Sequence, residues 1–513
     1  MKKKKLIAGI CAGLSVMMLM SGCMQGSSQS DGGSKETKLK WVMGGVGQLK
    51  DSELVWDQFN QKLKEHMPNT SVEFEVIPYA DFAEKWRLMS ASKEEVDLVW
   101  VGWMLNLYEE AQKGSLMALD ELLPLATDLT SELPEYLFDL AKVNGKLYCV
   151  PNYQIMTQLP YGVKTQAELA EKYLDAEKVT ETFNTQEPLT KEDYQVFDDY
   201  LAKLKENGEL RKGVSKSFLY SILGRIEGLG QFEETVVANA VIDWRDPELK
   251  VYDKLTDFSD SMEYYEVAHD WYQKGYIRKD ILSVQDVAAD ENKENGYVLW
   301  SHSVFKDDSE MMTKKYGFPI LSVPTFQELY VPSTRPSSNT GISKTTKDAE
   351  ASMKLLDLVN TKKGKDLYNM LVFGLEGTHY NKQSENKIEW LSSTAPGKGS
   401  DNAYGYDTWA IGNTFNAYET QFDAPDWNNY ILHDVNEKAH LSPLIGFTLN
   451  TENIKLELAQ YNAIMKEYDY VKLGTNSNYE ELIAERNEKL KKAGSDKIVE
   501  EVRKQIEEWK QSR

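Results

Sequence analysis

Cysteine is nearly missing from this chain: three in 513 residues, Cys11, Cys23 and Cys149. An exported protein that depended on disulfides would carry its cysteines in pairs, so packing must hold this one together. Cys149 stands in the apolar run Leu147-Tyr148-Cys149-Val150, which makes it a buried structural thiol rather than a nucleophile. Histidine is sparse as well, six in all, and the closest two, His433 and His440, are seven apart, a poor zinc spacing. No P-loop, GxSxG, HExxH or CxxC occurs, and no metal or cofactor is expected. Positive charge is in deficit, with 59 Lys and Arg against 81 Asp and Glu. Such a balance argues against nucleic acid and against direct adsorption to anionic lipid, both of which are led by Lys and Arg. Long apolar runs are missing too: the one candidate, residues 6–20, is shorter than the ~20 residues that span a bilayer.

What is present begins at that run. Lys2 to Lys5 precede it and small residues follow it, the layout of a secretion signal. It ends in Leu19-Met20-Ser21-Gly22-Cys23, which resembles the bacterial lipoprotein signal, whose cysteine is acylated and becomes the mature N-terminus; Met20 stands where leucine is usual. Loss of the four signal lysines takes the formal charge from −22 to −26. Residues 23–38, rich in Ser, Gly and Gln, read as a flexible tether. Beyond it, 41% hydrophobic residues and 12 tryptophans rule out general disorder. The length exceeds the ~250–300 residues at which single cores give way to several domains.

Strand and helix signals alternate from residue 39. A strand-like run ends in Gly44-Gly45-Val46-Gly47, Val55, Phe59 and Leu63 recur at helical spacing, and Val72, Phe74 and Val76 alternate with Glu73 and Glu75. A buried strand over 96–101 and a helix over 106–113 follow, the pattern of a mostly parallel sheet covered by helices. Residues 160–235 read as mostly helical, with a capping sequence at Thr190-Lys-Glu-Asp193. Helices are expected over 258–274, 347–361, 451–468 and 479–512, the last interrupted at Gly494, and strands over 297–300 and 318–323.

No catalytic constellation emerges. Paired carboxylates of a glycoside hydrolase are compatible with the composition, but 81 acidic residues supply such pairs everywhere by chance, so the enzyme is the minority reading. The aromatic placement is more specific. Trp100, Trp103, Trp300 and Trp409 fall at or just beyond strand ends or in Gly/Asn-rich loops, and ligands of open α/β sheets bind outside the carboxyl ends of strands. Flat rings there, beside Asn106, Gln154, His302 and Asn413, suit carbohydrate, whose C–H face stacks on a ring while its hydroxyls need fixed donors and acceptors. Tyr153 offers a further ring or donor. The alternative for these rings is the core, where Trp56, Trp86, Trp244 and Trp271 are placed.

Four stretches then carry a resemblance to the solute-binding lipoproteins of ABC importers, extracellular family 1. Asp97-Leu-Val-Trp-Val-Gly-Trp103 with Gly114-Ser-Leu-Met-Ala-Leu-Asp-Glu-Leu-Leu123 resembles that family's strand and its K-G-x-L-x-x-L-D-E-L helix. Val143-Asn-Gly-Lys-Leu-Tyr-Cys-Val-Pro151 is similar to its crossover into the second lobe. Tyr272-Gln-Lys-Gly-Tyr-Ile-Arg-Lys-Asp280 is similar to a helix end, and residues 317–324 to a return strand. Ser442-Pro-Leu-Ile-Gly-Phe-Thr-Leu-Asn450 and the run from Leu490 to Trp509 resemble the LplA-like subgroup, whose C-terminal domain has no known function. Phe373-Gly-Leu-Glu-Gly-Thr-His-Tyr380 and Trp409-Ala-Ile-Gly-Asn413 point the same way, whereas residues 165–239 show only generic helix.

The resemblance implies a two-lobed, periplasmic-binding-protein-like α/β fold, each lobe a mostly parallel sheet flanked by helices, with a helical C-terminal extension. Its expected divisions are a signal peptide (1–22), the tether (23–38), lobe 1 (39–150), lobe 2 (151–317), a return and hinge crossing (318–345), a helical part of lobe 2 with cleft loops (346–440) and the C-terminal region (441–513). Residues 148–151 and 331–341, the latter with Pro332, Pro336 and Gly341, are the hinge candidates, with ordinary surface loop as the alternative. It also implies a monomeric, non-enzymatic receptor, held outside the cell membrane by lipid on Cys23, that passes a carbohydrate to permease subunits. Trp103, Trp300 and Trp409 are then the stacking candidates, and Asn106, Tyr153, Gln154, His302 and Asn413 the polar ones. A receptor for peptides or another charged solute is the rival; Arg335 is the main cation in the cleft segments, which favours a neutral ligand.

Overall fold

The computed structural model describes residues 36–185, 188–223, 233–258, 262–291, 296–333, 338–391 and 403–512. The signal, Cys23 and most of the tether lie outside the described residues, as do Arg335 and Pro336. Among the described residues no helix is long and apolar enough to cross a membrane.

The first lobe is built on a five-stranded sheet. Thr37–Gly45 pairs parallel with Thr70–Pro78 on one side and Leu98–Gly102 on the other. Ser338–Ile342 then pairs antiparallel with Leu98–Gly102, and Cys149–Pro151 antiparallel with Ser338–Ile342. The edge strand Thr70–Pro78 buries Val72, Phe74 and Val76 and exposes Glu73, whereas the central Leu98–Gly102 is buried throughout, because helices cover both its faces. Helix Ser52–Leu63 buries Val55, Trp56, Phe59 and Leu63 and sets Trp56 and Phe59 against Phe74, with ring centroids 5.5 and 5.2 Å away. Burial of rings of this size is worth about 1.5–3 kcal/mol each. Cys149 is fully buried in this sheet, and burial pushes its thiol pKa far up, so it is inert.

The second lobe carries a four-stranded sheet in the order Ile320–Pro324, Tyr161–Gln166, Tyr297–Ser303, Gly213–Val214. Its first two pairings are antiparallel and only the last is parallel. The expectation of a mostly parallel sheet in each lobe therefore gives way to mixed sheets. Strands returning from the other lobe enter each sheet in the opposite sense to those wound locally. The core beneath is aromatic, with Phe197, Tyr200, Phe218, Tyr264 and Trp271 all buried. Thr190 and Asp193 form the reciprocal cap that leads into Gln195–Glu206.

Three corrections concern the divisions. Ile320–Pro324 still belongs to the second sheet, so the chain returns to the first lobe only after residue 324. Helices Ala349–Asn360 and Lys365–Phe373, with Tyr404, Tyr406 and Tyr418, bury their side chains in the first-lobe core, not the second. Nine of the twelve residues of Ala349–Asn360 are buried, so its pattern told of burial without telling which lobe supplies the partner. Finally, residues 233–253, on the edge of the stretch read as helical, form an antiparallel meander of Glu233–Val237, Ala240–Asp243 and Val251–Asp253. The last helix, Ser495–Gln511, covers it with Val499, Val502 and Ile506.

Three segments join the lobes, and they hold one another. Gln158 of the first exchanges bonds with Tyr330 of the second: its backbone N–H donates to the Tyr330 carbonyl (3.0 Å) and its Oε1 accepts from the Tyr330 N–H (2.7 Å). Asn436, opening the third, accepts from the Met156 N–H (2.9 Å) and donates to the Gln154 carbonyl (2.6 Å).

Candidate functional site

The site grows from Trp100. This residue lies within the central strand Leu98–Gly102, 1% exposed, and its indole donates from Nε1 to Ser338 Oγ at 2.8 Å. Two glycines leave the space it fills: a Cβ on Gly44 would fall 2.4 Å from the ring, and one on Gly102 only 1.8 Å. Phe82 abuts it edge-on at 5.0 Å. Three further rings stand on this floor. Trp103 meets Trp100 edge-on at 5.1 Å, Tyr79 lies 5.4 Å away, and Trp409 6.3 Å away. Trp103 and Trp409 are 5.1 Å apart, and Tyr79 stacks on Trp409 at 5.7 Å and 21°. Trp103 remains 55% exposed, which is unusual for a ring with three aromatic neighbours and leaves a flat apolar surface facing solvent.

The platform borders a cavity of about 830 Å³, within the ordinary range for small-molecule sites. It runs from Trp409 past Phe373, Trp390 and Tyr418 toward Gln154 and Trp427. Asp407 enters its wall just before the short helix Thr408–Ile411 that presents Trp409, and accepts from the Tyr79 hydroxyl at 2.8 Å. Burial raises the Asp407 carboxyl pKa, opposed by the Tyr79 hydrogen bond, and burial with the neighbouring Asp407 raises the Tyr79 hydroxyl far up. Gln154 Nε2 and Trp390 Nε1, on two lining residues, are buried donors without a protein partner. At the far side the second lobe touches the rim: Phe305 packs edge-on against Trp427 at 5.4 Å, and the Lys306 N–H donates to the Tyr430 hydroxyl at 3.2 Å.

Of the residues expected from sequence, Trp103, Trp409 and Gln154 come together here. The others do not. Trp300 is 2% exposed, packed with Met312 and Ile320 and 5.7 Å from Tyr316, and has no face to offer a ligand. His302 is exposed near the end of its strand beside Ser303 Oγ (3.0 Å), outside the cavity wall. Asn106 caps helix Leu107–Lys113 by accepting from the Glu109 N–H at 3.2 Å. Asn413 is buried, accepting from the Phe415 N–H and donating to the Asn360 carbonyl. Tyr153 is buried edge-on against Phe415, a part of the wall's backing. Asparagines in Gly-rich loops cap helices as readily as they bind ligands, which explains these misplacements. Tyr79 and Asp407 were missed. Tyr79 follows the end of a parallel strand, the same position rule that pointed to Trp103; nothing local marks Asp407.

Residues 443–511 match the family described as Domain of unknown function (DUF3502). The chain is 25% identical over 474 residues to a carbohydrate ABC transporter substrate-binding protein of Streptococcus pneumoniae serotype 4 (strain ATCC BAA-334 / TIGR4), covering 87% of this chain and 86% of that one. The chain thus carries a DUF3502 region at its C-terminal end and is similar over most of its length to a carbohydrate ABC transporter substrate-binding protein. Among solved structures, the N-glycan transport solute-binding protein NgtS of Streptococcus pneumoniae superposes with a TM-score of 0.73 at 22% identity, covering 92% of this chain and 99% of that one. Its complex with Man1GlcNAc gives 0.66 with the same identity and coverage. An extracellular solute-binding protein of Bifidobacterium longum subsp. infantis gives 0.59 at 12% identity, covering 92% and 98%. The platform and cavity lie on the first-lobe side of the place where the two lobes meet.

Proposed function

We propose that this protein is the substrate-binding component of an ABC importer, capturing a carbohydrate between its lobes and delivering it to permease subunits without chemical change. The observation that carries this reading is the half-exposed Trp103–Trp409–Tyr79 platform beside an uncharged-donor cavity. A pyranose presents an apolar C–H face to such rings and hydroxyls to Asp407 and Gln154. Closure of the second lobe over the bound sugar excludes water, and the ligand shifts the open–closed equilibrium by its greater affinity for the closed form. The names of the relatives support carbohydrate as the ligand class, and the description of one structural neighbour as extracellular supports a location outside the membrane. Acylation of Cys23 anchors the monomer there, and the tether sets its reach to the permease.

Calorimetry of the purified protein against an oligosaccharide panel that includes mannose–N-acetylglucosamine fragments tests the proposal. Saturable heat with unchanged sugar is expected. Release of shortened products would replace the receptor with an enzyme, and silence across the panel would end the carbohydrate reading.

A further inference from the structure

We infer that the cleft selects neutral sugars against acidic ones, with Asp407 as the discriminating group; the inference rests on the carbohydrate reading above. Among the described residues lining the cavity there is no Lys, Arg or His, while two carboxylates are present, Asp407 and Asp423. They differ in their partners. Asp423 is capped by the Thr420 N–H (2.6 Å) and hydroxyl (2.8 Å), with Lys387 pulling in the same direction. Asp407 receives one hydroxyl, that of Tyr79, and feels no cation. Its carboxylate therefore keeps acceptor capacity for a sugar hydroxyl and an uncompensated negative field beside the platform. Across the rim, Lys306 is flanked in sequence by Asp307 and Asp308 and acts on Asp434, so it does not turn the mouth positive. A uronic or sialic carboxylate brought within ~6 Å of Asp407 meets repulsion worth roughly 10–100-fold in affinity at the effective dielectric of such sites.

The experiment compares two oligosaccharides identical except that a neutral terminal sugar is replaced by an acidic one, titrated into the wild type and into Asp407→Asn. The expected result is at least about tenfold tighter binding of the neutral member by the wild type, a gap that narrows in Asp407→Asn. Equal or tighter binding of the acidic member overturns the inference, as does an unchanged gap in the variant. Failure of the neutral member to bind at all would instead count against the carbohydrate reading.

A separate set of contacts carries a second inference. The strands Tyr330–Val331 and His440–Leu441, in two of the joining segments, pair in parallel. The meander grips both. Glu234, 3% exposed, accepts from the Ser333 N–H (2.7 Å) and hydroxyl with one oxygen and from the Ser442 hydroxyl with the other. Tyr330 donates to the Glu233 carbonyl (2.9 Å), and Trp244 lies against both Tyr330 (5.0 Å, 19°) and His440 (5.2 Å). The DUF3502 region holds the meander in turn, through Val499, Val502 and Ile506 and through Arg503 on the Val251 carbonyl. It is fixed to the second lobe by Arg486 on the Tyr265 hydroxyl (2.8 Å) and by Tyr264 on the Lys472 carbonyl (3.2 Å).

We propose that the DUF3502 region and meander form a brace that stiffens the hinge, with Glu234 as its clasp. Small-angle scattering of the ligand-free protein reads this. Glu234→Ala, which removes the buried carboxylate, is expected to broaden the interlobe distance distribution, and Ser333→Ala with Ser442→Ala, which removes its two hydroxyl donors and leaves it only the Ser333 N–H, is expected to do the same. A wild-type distribution in the folded serine pair overturns the proposal.

Discussion

Replacing Gly102 by alanine tests the platform at its foundation. The added Cβ would stand 1.8 Å from Trp100 Cζ2, 2.3 Å from Cη2 and 2.4 Å from Cε2, where carbon atoms normally approach to about 3.5–4.0 Å. The ring must move by well over 1 Å, and it has nowhere to go. Gly44 closes one side, where the backbone leaves no room, Phe82 closes another, and Ser338 Oγ holds the indole nitrogen. Overpacking of this kind costs about 1–3 kcal/mol, and losing the buried Nε1 bond adds about 1 kcal/mol. For a lobe of this size the sum lowers its melting transition by roughly 5–10 °C. Because Trp103, Tyr79 and Trp409 stand on Trp100, sugar affinity should fall by about tenfold or more in protein that is still folded. Gly114→Ala is the control. Gly114 has φ +71° and nothing within 4 Å of a Cβ, so alanine there carries a backbone penalty of about 1 kcal/mol without touching the platform. Calorimetric melting and titration of both variants separate the effects. If Gly102→Ala bound sugar like the wild type and melted like Gly114→Ala, the argument that Trp100 supports the site would be wrong.

Trp103→Ala and Trp409→Ala should each weaken binding by about 5–30-fold, while Trp103→Ala shifts stability by only about 1 kcal/mol because that ring is half exposed. Trp300→Ala should do the reverse, costing about 3–5 kcal/mol of stability with binding per folded molecule unchanged; paired melting and titration data decide. His379 supplies a pH dependence. Its Nδ1 accepts from the Leu375 N–H at 2.9 Å and burial lowers its pKa, so the folded state favours the neutral ring. The unfolded chain, with an ordinary pKa near ~6.5, then binds more protons as pH falls below that value, and stability is lost in that window. Melting temperature against pH should fall more steeply between about 6.5 and 5 for the wild type than for His379→Gln, and parallel curves would contradict the assignment. Cys23→Ala should release from the membrane a protein that binds sugar as before and no longer supports uptake; loss of binding in the purified variant would show that the anchor had been misread.

Helices whose ends carry local chemistry were legible. Gly494, at φ +92°, separates Tyr479–Lys492 from Ser495–Gln511 where the break was expected, and the Thr190–Asp193 cap closes as its spacing predicts. The first-lobe strands were legible for the same reason, since Val72, Phe74 and Val76 carry their own alternation. The meander was not. Its strands are short, and Ala240–Asp243 is covered by a helix that arrives some 250 residues later, so no window around it contains the reason for its conformation. Ala349–Asn360 shows the same limit in another form. A helix buried on most of its surface announces that it is inside, but the lobe it belongs to is fixed by Leu129, whose N–H donates to Asp357 Oδ1 at 2.7 Å from more than two hundred residues away.

The site divides along that line too. Trp103 could be found because a strand end is a local feature and a position rule applies to it. Trp300 satisfies that rule only on the expected strand 297–300; the strand runs on to Ser303, so Trp300 lies mid-strand, covered by Met312 and Tyr316 of the following helix. A ring at a strand end is available to ligand only where the chain beyond turns away. After Trp100 the chain continues through Gly102 to Trp103, and the covering elements are themselves aromatic: Tyr79 from the end of the edge strand Thr70–Pro78 and Trp409 from a helix three hundred residues on. What makes the surface a platform is thus the meeting of three distant segments over one buried indole. Gly44 and Gly102 are the local trace of that meeting, since each is small only because Trp100 lies against it. Two glycines packed against one tryptophan from neighbouring parallel strands are therefore a sharper sign of a supported aromatic floor than the tryptophan by itself.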